Sequence, residues 1–240
     1  METVVFSIVI PVFNEVKRIN ENIAEIFGFF SQAQQKIEII FVNDGSTDAT
    51  EELLKKYQNT YSFQIVSYPD NQGKGYAIRQ GTKAAQGKWI VFFDIDLATP
   101  LIEFNYLVTF LKPKDQVVIG SRRLQDSEIT KSESHIRVFL GQGFTLLSNL
   151  LVPGVTDFTC GFKCFSSAAA KVIFSKAQIN RWGFDTELLY IAHLNGITIR
   201  QMAVSWRHDT DSRVKVFQAV FSSLKELWEM KLNYWKGLYT

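Results

Sequence analysis

The chain has 240 residues, of which 46 % are hydrophobic and 21 % charged, and a formal net charge of +2. That composition supplies a sizeable core and excludes a disordered chain, and the near balance of charge argues against nucleic acid as a partner. Aromatic residues are abundant, with 20 Phe, 8 Tyr and 5 Trp, which suits a large core or a surface that meets lipid.

The N-terminal stretch "METVVFSIVIPVFNE" lacks a basic leader and its apolar run stops at Pro11, so it reads as a buried strand rather than a signal peptide. "NEVKRINENIAEIFGFFSQAQ" then places Ile19, Ile23, Ile26, Phe27 and Phe30 at helical spacing. "KIEIIFVND" is a second strand, and "GSTDATEELLKKYQN" opens a helix with Ser46 or Thr47 as the expected N-cap. "FQIVSYPD", "GKGYAIRQGTKAAQG" and "KWIVFFDID" continue as strand, helix and strand. This alternation predicts parallel βαβ units, with helices on both faces of one sheet and a ligand site at the carboxyl ends of the strands. Asn14 and Glu15, Asp44, Asp70, and Asp94 with Asp96 all fall at that edge.

After Pro100 the expected elements are a helix in "PLIEFNYLVTFLK", a strand in "QVVIGSRR", a polar loop in "DSEITKSESH" and a helix in "IRVFLGQGFTLLSNLLV". "VTDFTCGFKCFS" looks extended, "AAAKVIFSKA" and "GFDTELLYIAHLNG" helical, and "ITIRQMAVSW" a strand. The chain closes on a long helix, "VKVFQAVFSSLKELWEMKLNYWKGLYT". The two cysteines, Cys160 and Cys164, have no Cys/His cluster beside them and read as free thiols in a reducing compartment, not a zinc site. With no run of 18 uninterrupted apolar residues, no transmembrane helix is expected.

The stretch "WIVFFDIDLATP" runs an apolar strand into two carboxylates one residue apart. An unpaired ionised carboxylate is costly to bury. On a strand, Asp94 and Asp96 would share a face; off it, they can still bracket a cation. Two hard oxygen donors suit Mg²⁺ or Mn²⁺, which take their remaining ligands from water and phosphate. The alternative is that Asp94 is a hydrogen-bonded buried acid and Asp96 caps the next helix. "VNDGSTDAT" can offer a carboxylate to a base or ribose, or be a capped βα turn. "NQGKGYAIRQG" is glycine-rich but has neither the Walker nor the full G-x-G-x-x-G spacing; Lys74 and Arg79 there can neutralise diphosphate or be solvated surface charges.

Taken together and in order, "SIVIPVFNE", "VNDGSTDAT", "NQGKGYAIRQG", "FFDIDLATP" and "GSR" resemble the inverting family 2 glycosyltransferases of the GT-A fold. "DFTCGFKCF", "RWGFDTELLYIA", "VSWRHDTDSRV" and the aromatic tail are similar to the dolichyl-phosphate β-glucosyltransferase branch, a relative of the dolichol-phosphate mannose synthases. The resemblance implies an α/β, mostly parallel sheet with helices on both faces, divided as a catalytic domain over 1–212 and an amphipathic aromatic helix over 213–240. It implies that Pro11, Phe13, Glu15, Asp44 and Lys74 bind the sugar nucleotide, and that Asp94 and Asp96 hold Mg²⁺ or Mn²⁺, with Asp96 the direct ligand. Asp157 would position metal or acceptor; Arg122, Arg137 and Arg213 would bind the acceptor phosphate; Trp182 and Asp185 would line the sugar pocket.

The implied reaction is transfer of glucose from UDP-glucose to a dolichyl or undecaprenyl phosphate with inversion. Mannosyl relatives follow the acid pair with leucine and a metal-reaching glutamine, whereas Leu97 is followed here by Ala98, which fits the glucosyl branch. The alternatives are a GDP-mannose-dependent transferase, a family member with a glycan hydroxyl acceptor, and a non-catalytic sugar-nucleotide binding module. A polyprenyl acceptor implies work at a bilayer. Trp228 to Tyr239, with Lys231 and Lys236 interleaved, has the composition of a helix in the headgroup layer. The expectation is a peripheral protein on the cytoplasmic face of a membrane, attached directly or through a membrane-embedded partner subunit.

Overall fold

The computed structural model describes the backbone of residues 3–131, 135–181, 183–207 and 216–240, and the side chains of 3–129, 141–181, 183–207 and 225–240. Nine strands and eight helices are found among the described residues. The N-terminal half alternates without exception: β1 (Phe6–Val12), α1 (Val16–Phe30), β2 (Ile37–Asp44), α2 (Thr50–Tyr57), β3 (Gln64–Tyr68), α3 (Lys74–Ala84) and β4 (Trp89–Phe92). Then come α4 (Glu103–Phe110), β5 (Val117–Ser121), a short β6 (Ile129–Lys131), α5 (His135–Ser148), β7 (Lys163–Ser166), α6 (Ser167–Lys176), α7 (Phe184–Leu194), β8 (Ile199–Ala203), β9 (Trp206–Arg207) and α8 (Val216–Trp235).

Seven strands form one sheet in the order β3-β2-β1-β4-β7-β5-β8, and β6 pairs with β9 beside it. All neighbours in the large sheet are parallel except β7, which runs against both β4 and β5. The direction of β7 decides where the site lies. Its amino end, and the chain leading into it, arrive at the edge where β1, β2, β4 and β5 deliver their carboxyl ends.

Alternation along β1 shows why the sheet is covered twice. Val9 packs with Ala77 and Ile78 of α3 on one face, whereas Ile8 and Ile10 pack with Ile19, Ile23, Ile26 and Phe30 of α1 on the other. Phe92 and Phe93 likewise separate into the two cores, each making edge contacts with further aromatic rings. The abundant phenylalanine of the composition is thus largely core.

Several expectations are corrected. The N-cap of α2 is not Ser46 or Thr47, because the helix begins at Thr50, where Asp48 Oδ1 accepts from the Thr50 amide at 3.0 Å. Ser46 and Thr47 serve the neighbouring loop instead: Asn14 donates its amide to Ser46 Oγ, and its Oδ1 accepts from the Thr47 amide. Asn14 can do this because it sits in the left-handed region, φ 55°. β4 stops at Phe92, so Asp94 and Asp96 belong to a turn rather than to a strand face. The polar loop after β5 contains β6, and "VTDFTCGFKCFS" is irregular until β7 starts at Lys163.

Met230 and Tyr239 are fully buried and join the core shared by α6 and α7. Tyr239 is therefore an anchor within the protein rather than a headgroup-facing aromatic. Trp228 and Trp235, 60 % and 65 % exposed, point the other way. No described helix is long and apolar enough to cross a membrane.

Candidate active site

The parallel strands bring the acids and amides of separate turns to one edge, and α3 supplies the cation among them. Lys74, the first residue of α3, lies with Nζ 2.5 Å from Asp94 Oδ1. Gly73 makes this helix start possible. Its φ is 103°, and a Cβ there would meet the Asn180 carbonyl oxygen at 2.5 Å. That same carbonyl accepts from the Gly75 amide at 2.8 Å, and Arg79 donates to Asn180 Oδ1 and to the Ala177 carbonyl, each at 2.7 Å. Arg79 thus fastens the 177–180 segment to α3 and is not a loose surface charge.

Asp94 and Asp96 flank a tight turn. The Leu97 amide donates to the Asp94 carbonyl, and Leu97 is held at φ 50°, unusual for a non-glycine residue. Asp96 Oδ1 accepts from the Ala98 amide at 3.0 Å. Burial, then the charge of Asp94, pushes the Asp96 carboxyl above the usual range, against the pull of Ala98 and Lys74. Asp94 rests on Gly161: a Cβ there would come within 2.0 Å of Asp94 Oδ2.

Arg122 follows directly on β5 at the same edge. Its guanidinium donates from Nε to Asp157 Oδ2 at 2.7 Å and from Nη2 to Asp157 Oδ1 at 2.9 Å, a fork-to-fork pair, and from Nη2 to Thr159 Oγ1 at 2.8 Å. Its backbone amide also donates to Asp157, and the Trp206 ring lies 5.2 Å from the guanidinium carbon. Burial alone would raise the fully buried Asp157, but the charge and bonds of Arg122 hold it far below the usual carboxylate range.

The remaining expected site residues fall as follows. Pro11 is half-buried near the end of β1, Phe13 is 39 % exposed just beyond it, and Glu15 accepts from Arg18 at 2.7 Å. Asp44 is buried, its two oxygens accepting from Tyr68 Oη, Asn71 Nδ2 and the Gln72 and Gly73 amides at 2.8–2.9 Å. Its carboxylate shapes the loop that leads into Lys74. Asp70 is exposed. Asp185, in the first turn of α7, pairs with Lys163 at 2.5 Å, and burial raises its carboxyl against the pull of Lys163 and Lys74. Glu187 points away, accepting from the Gln178 and Ile179 amides and Tyr239 Oη. The Arg137 side chain, Trp182 and Arg213 lie outside the described residues.

Lys163, Thr159 and Gly161 were not legible as site residues. A lysine in "GFKCF" reads as a solvated strand position, and its partner Asp185 is 22 residues further on.

Among the described residues no group of three or more His, Cys, Asp or Glu side chains converges. Two carboxylates in one turn, one of them raised by burial and then by the charge of the other, nevertheless fit a hard cation that completes its shell with phosphate and water.

A mostly parallel sheet with one reversed strand and acids at its carboxyl edge is the GT-A fold. Residues 7–174 match the family model "Glycosyl transferase family 2". The chain belongs to that family, and it is a glycosyltransferase.

Among curated proteins, it is similar to the dolichyl-phosphate beta-glucosyltransferases of Homo sapiens, 34 % identical with 97 % of this chain and 76 % of that protein covered, and of Saccharomyces cerevisiae, 32 % identical with 99 % and 77 % covered. The Dictyostelium discoideum protein of that name is 30 % identical over 100 % of this chain and 77 % of its own length. Among solved structures, glucosyl-3-phosphoglycerate synthase from Mycobacterium tuberculosis, in complex with Mn²⁺, UDP-glucose and phosphoglyceric acid, superposes with a TM-score of 0.70. It is 20 % identical, with 94 % of this chain and 79 % of that one covered. That likeness concerns the fold.

Proposed function

We propose that the protein transfers glucose from UDP-glucose to a polyprenyl phosphate, with inversion at the anomeric carbon, at a membrane surface. The observation that carries this reading is the pairing of two charged centres across β7. On one side stands the Lys74/Asp94/Asp96 cluster, and on the other an arginine locked in place by Asp157. A transferase that joins two anions needs such a layout, with one centre for each. The names of the full-length relatives support glucose and a dolichyl phosphate as the transferred group and acceptor.

In this mechanism the sugar nucleotide lies over the ends of β1, β2 and β4, with Phe13 and Glu15 at the base and Lys74 moving from Asp94 to the diphosphate. Asp44 acts from behind by holding residues 71–73. Asp96 and Asp94 would hold Mg²⁺ or Mn²⁺, which supplies Lewis-acid stabilisation of the leaving diphosphate. Arg122, its Nε and Nη2 held by Asp157 and Thr159, supplies a fixed positive charge beside the acceptor phosphate, and binding that phosphate is also the role assigned to Arg137 and Arg213. Trp182 and Asp185 shape the sugar pocket. A phosphate oxygen is already anionic near neutral pH, so it attacks the anomeric carbon without a general base. The C–O bond to UDP breaks on the opposite face, and UDP leaves with the electron pair. Catalysis is then positioning and charge compensation.

The membrane reading rests on α5 and α8, which pack together. Leu146 and Leu150 near the end of α5 and Trp228 and Trp235 of α8 all face solvent, with Lys225 and Lys236 exposed beside them. This suits peripheral attachment on the cytoplasmic face, with or without a membrane-embedded partner.

The test is a donor panel in detergent with Mg²⁺ or Mn²⁺ and a short polyprenyl phosphate, scoring organic-extractable product. UDP-glucose turnover, abolished by Asp96→Ala, is expected. Turnover of GDP-mannose instead would move the chain to the mannosyl branch, and transfer by Asp96→Ala at the parent rate would remove the metal assignment.

A further inference from the structure

The segment from Asp157 to Lys163 touches both charged centres. At its start Asp157 and Thr159 hold Arg122; at its end Gly161 carries Asp94. Residues 157–162 have no regular secondary structure, so something else must set their shape. That something is the ammonium of Lys163. The side chain is 1 % exposed, and Nζ donates to the Phe158 carbonyl at 3.0 Å, the Cys160 carbonyl at 2.5 Å and Asp185 Oδ1 at 2.5 Å. Three donors meet three acceptors, leaving none to spare.

Lys163 is also the register residue of the reversed strand. It stands opposite Phe92 of β4 on one side and Ile119 of β5 on the other, two residues before Asp94 and three before Arg122. The backbone of Lys163 therefore lies between the strand that leads to the donor carboxylates and the strand that leads to the acceptor arginine, while its ammonium reaches Asp185 of α7. The peptide chain is curled around that ammonium like a clasp.

We propose that Lys163 is a positioning residue: by folding residues 157–161 around its buried ammonium, it fixes the separation between Arg122 and Asp94, and so between acceptor phosphate and donor sugar. The inference rests on the proposed roles of those two residues. A buried lysine is needed here because one side chain must gather two backbone carbonyls and a carboxylate at once, and a neutral side chain lacks the donors.

The experiment compares Lys163→Met and Lys163→Arg with the parent, per folded molecule by calorimetry. Three quantities are read: kcat, equilibrium binding of UDP with Mn²⁺, and binding of a short polyprenyl phosphate. The expectation is a fall in kcat on the order of 100-fold for Lys163→Met, the scale of an ångström-level misplacement of reacting groups. UDP and the lipid phosphate should each bind within about threefold of the parent, since each centre persists but their spacing is lost. Lys163→Arg keeps the charge and should recover part of kcat.

Full kcat in folded Lys163→Met overturns the proposal, as does a loss of both affinities in parallel with stability. If Lys163→Met fails to fold, Lys163→Arg decides: a parental kcat overturns the proposal. If the parent transfers no sugar from any donor, the functional reading has failed and crystallography decides this one. Residues 157–161 should be displaced in Lys163→Arg, with Arg122 and Asp94 moved relative to each other, and an unmoved segment refutes the role.

Discussion

Tyr239 donates its hydroxyl to Glu187 at 2.5 Å, 52 residues away along the chain. The same carboxylate accepts from the Gln178 and Ile179 amides, and the Tyr239 carbonyl accepts from Asn195 Nδ2. The C-terminal segment is thus tied to the 177–180 strap that Arg79 and Gly75 hold against α3. Tyr239→Phe should remove one buried hydrogen bond to a charged group. We expect a loss of about 1.5–3 kcal/mol, seen as a Tm lower by roughly 3–12 °C in differential scanning calorimetry. A Tm identical to the parent would mean that the bond is not formed in solution.

The Arg122/Asp157 pair predicts a pH dependence with a defined sign. Asp157 titrates lower in the folded chain than in the unfolded one. Below the ordinary carboxylate pKa of about 4 the unfolded state therefore binds the extra proton, and acid favours unfolding. The pair's contribution is fully present at neutral pH and drains away as pH falls from about 4 downward. Asp157→Asn should cost roughly 3–5 kcal/mol at pH 7, because it leaves a mostly buried guanidinium without its carboxylate. The gap between parent and variant should narrow at pH 3; a constant gap between pH 7 and pH 3 would refute the pairing.

Gly161→Ala adds one methyl where Asp94 Oδ2 now lies 2.0 Å from the new carbon. Backbone conformation does not forbid alanine there, so the fold should survive and the carboxylate should move. We expect transfer to fall on the order of 100-fold while the Tm shifts little. Parental activity would show that the position of Asp94 tolerates this shift.

Trp228 and Trp235 lie edge to face, 5.9 Å apart, and both face solvent. Replacing both with alanine should leave stability within about 0.5 kcal/mol. If each indole contributes about 1 kcal/mol of transfer energy on burial in lipid, vesicle sedimentation should weaken on the order of 10-fold or more. Unchanged binding to anionic vesicles would remove these residues from the membrane reading.

Periodicity carried most of the fold. Ile19, Ile23, Ile26 and Phe30 are the buried face of α1 as their spacing predicts, and the apolar runs at 6–12 and 37–44 are central parallel strands. The acids at the strand ends were legible because charge after an apolar run needs compensation. What compensates them was not. Asp157 looks like any loop acid until Arg122, 35 residues earlier, closes on it. Ser46 and Thr47 have the letters of a cap, yet Asn14 from another turn claims them. Nothing local to "GFKCF" discloses that its strand runs backwards, since strand direction is set by the connections and partners on either side. Long-range pairing, not local preference, hid each of these.

The clasp around Lys163 has one more consequence, in reagent chemistry. Cys160 lies inside it and Cys164 just beyond, both free and fully enclosed, and burial pushes both thiols up. Thiolate is the reactive form, so maleimides at neutral pH should pass over the native cysteines. A single cysteine introduced on an exposed face can then carry a fluorophore without prior removal of the other two, giving a direct optical report on docking and substrate capture.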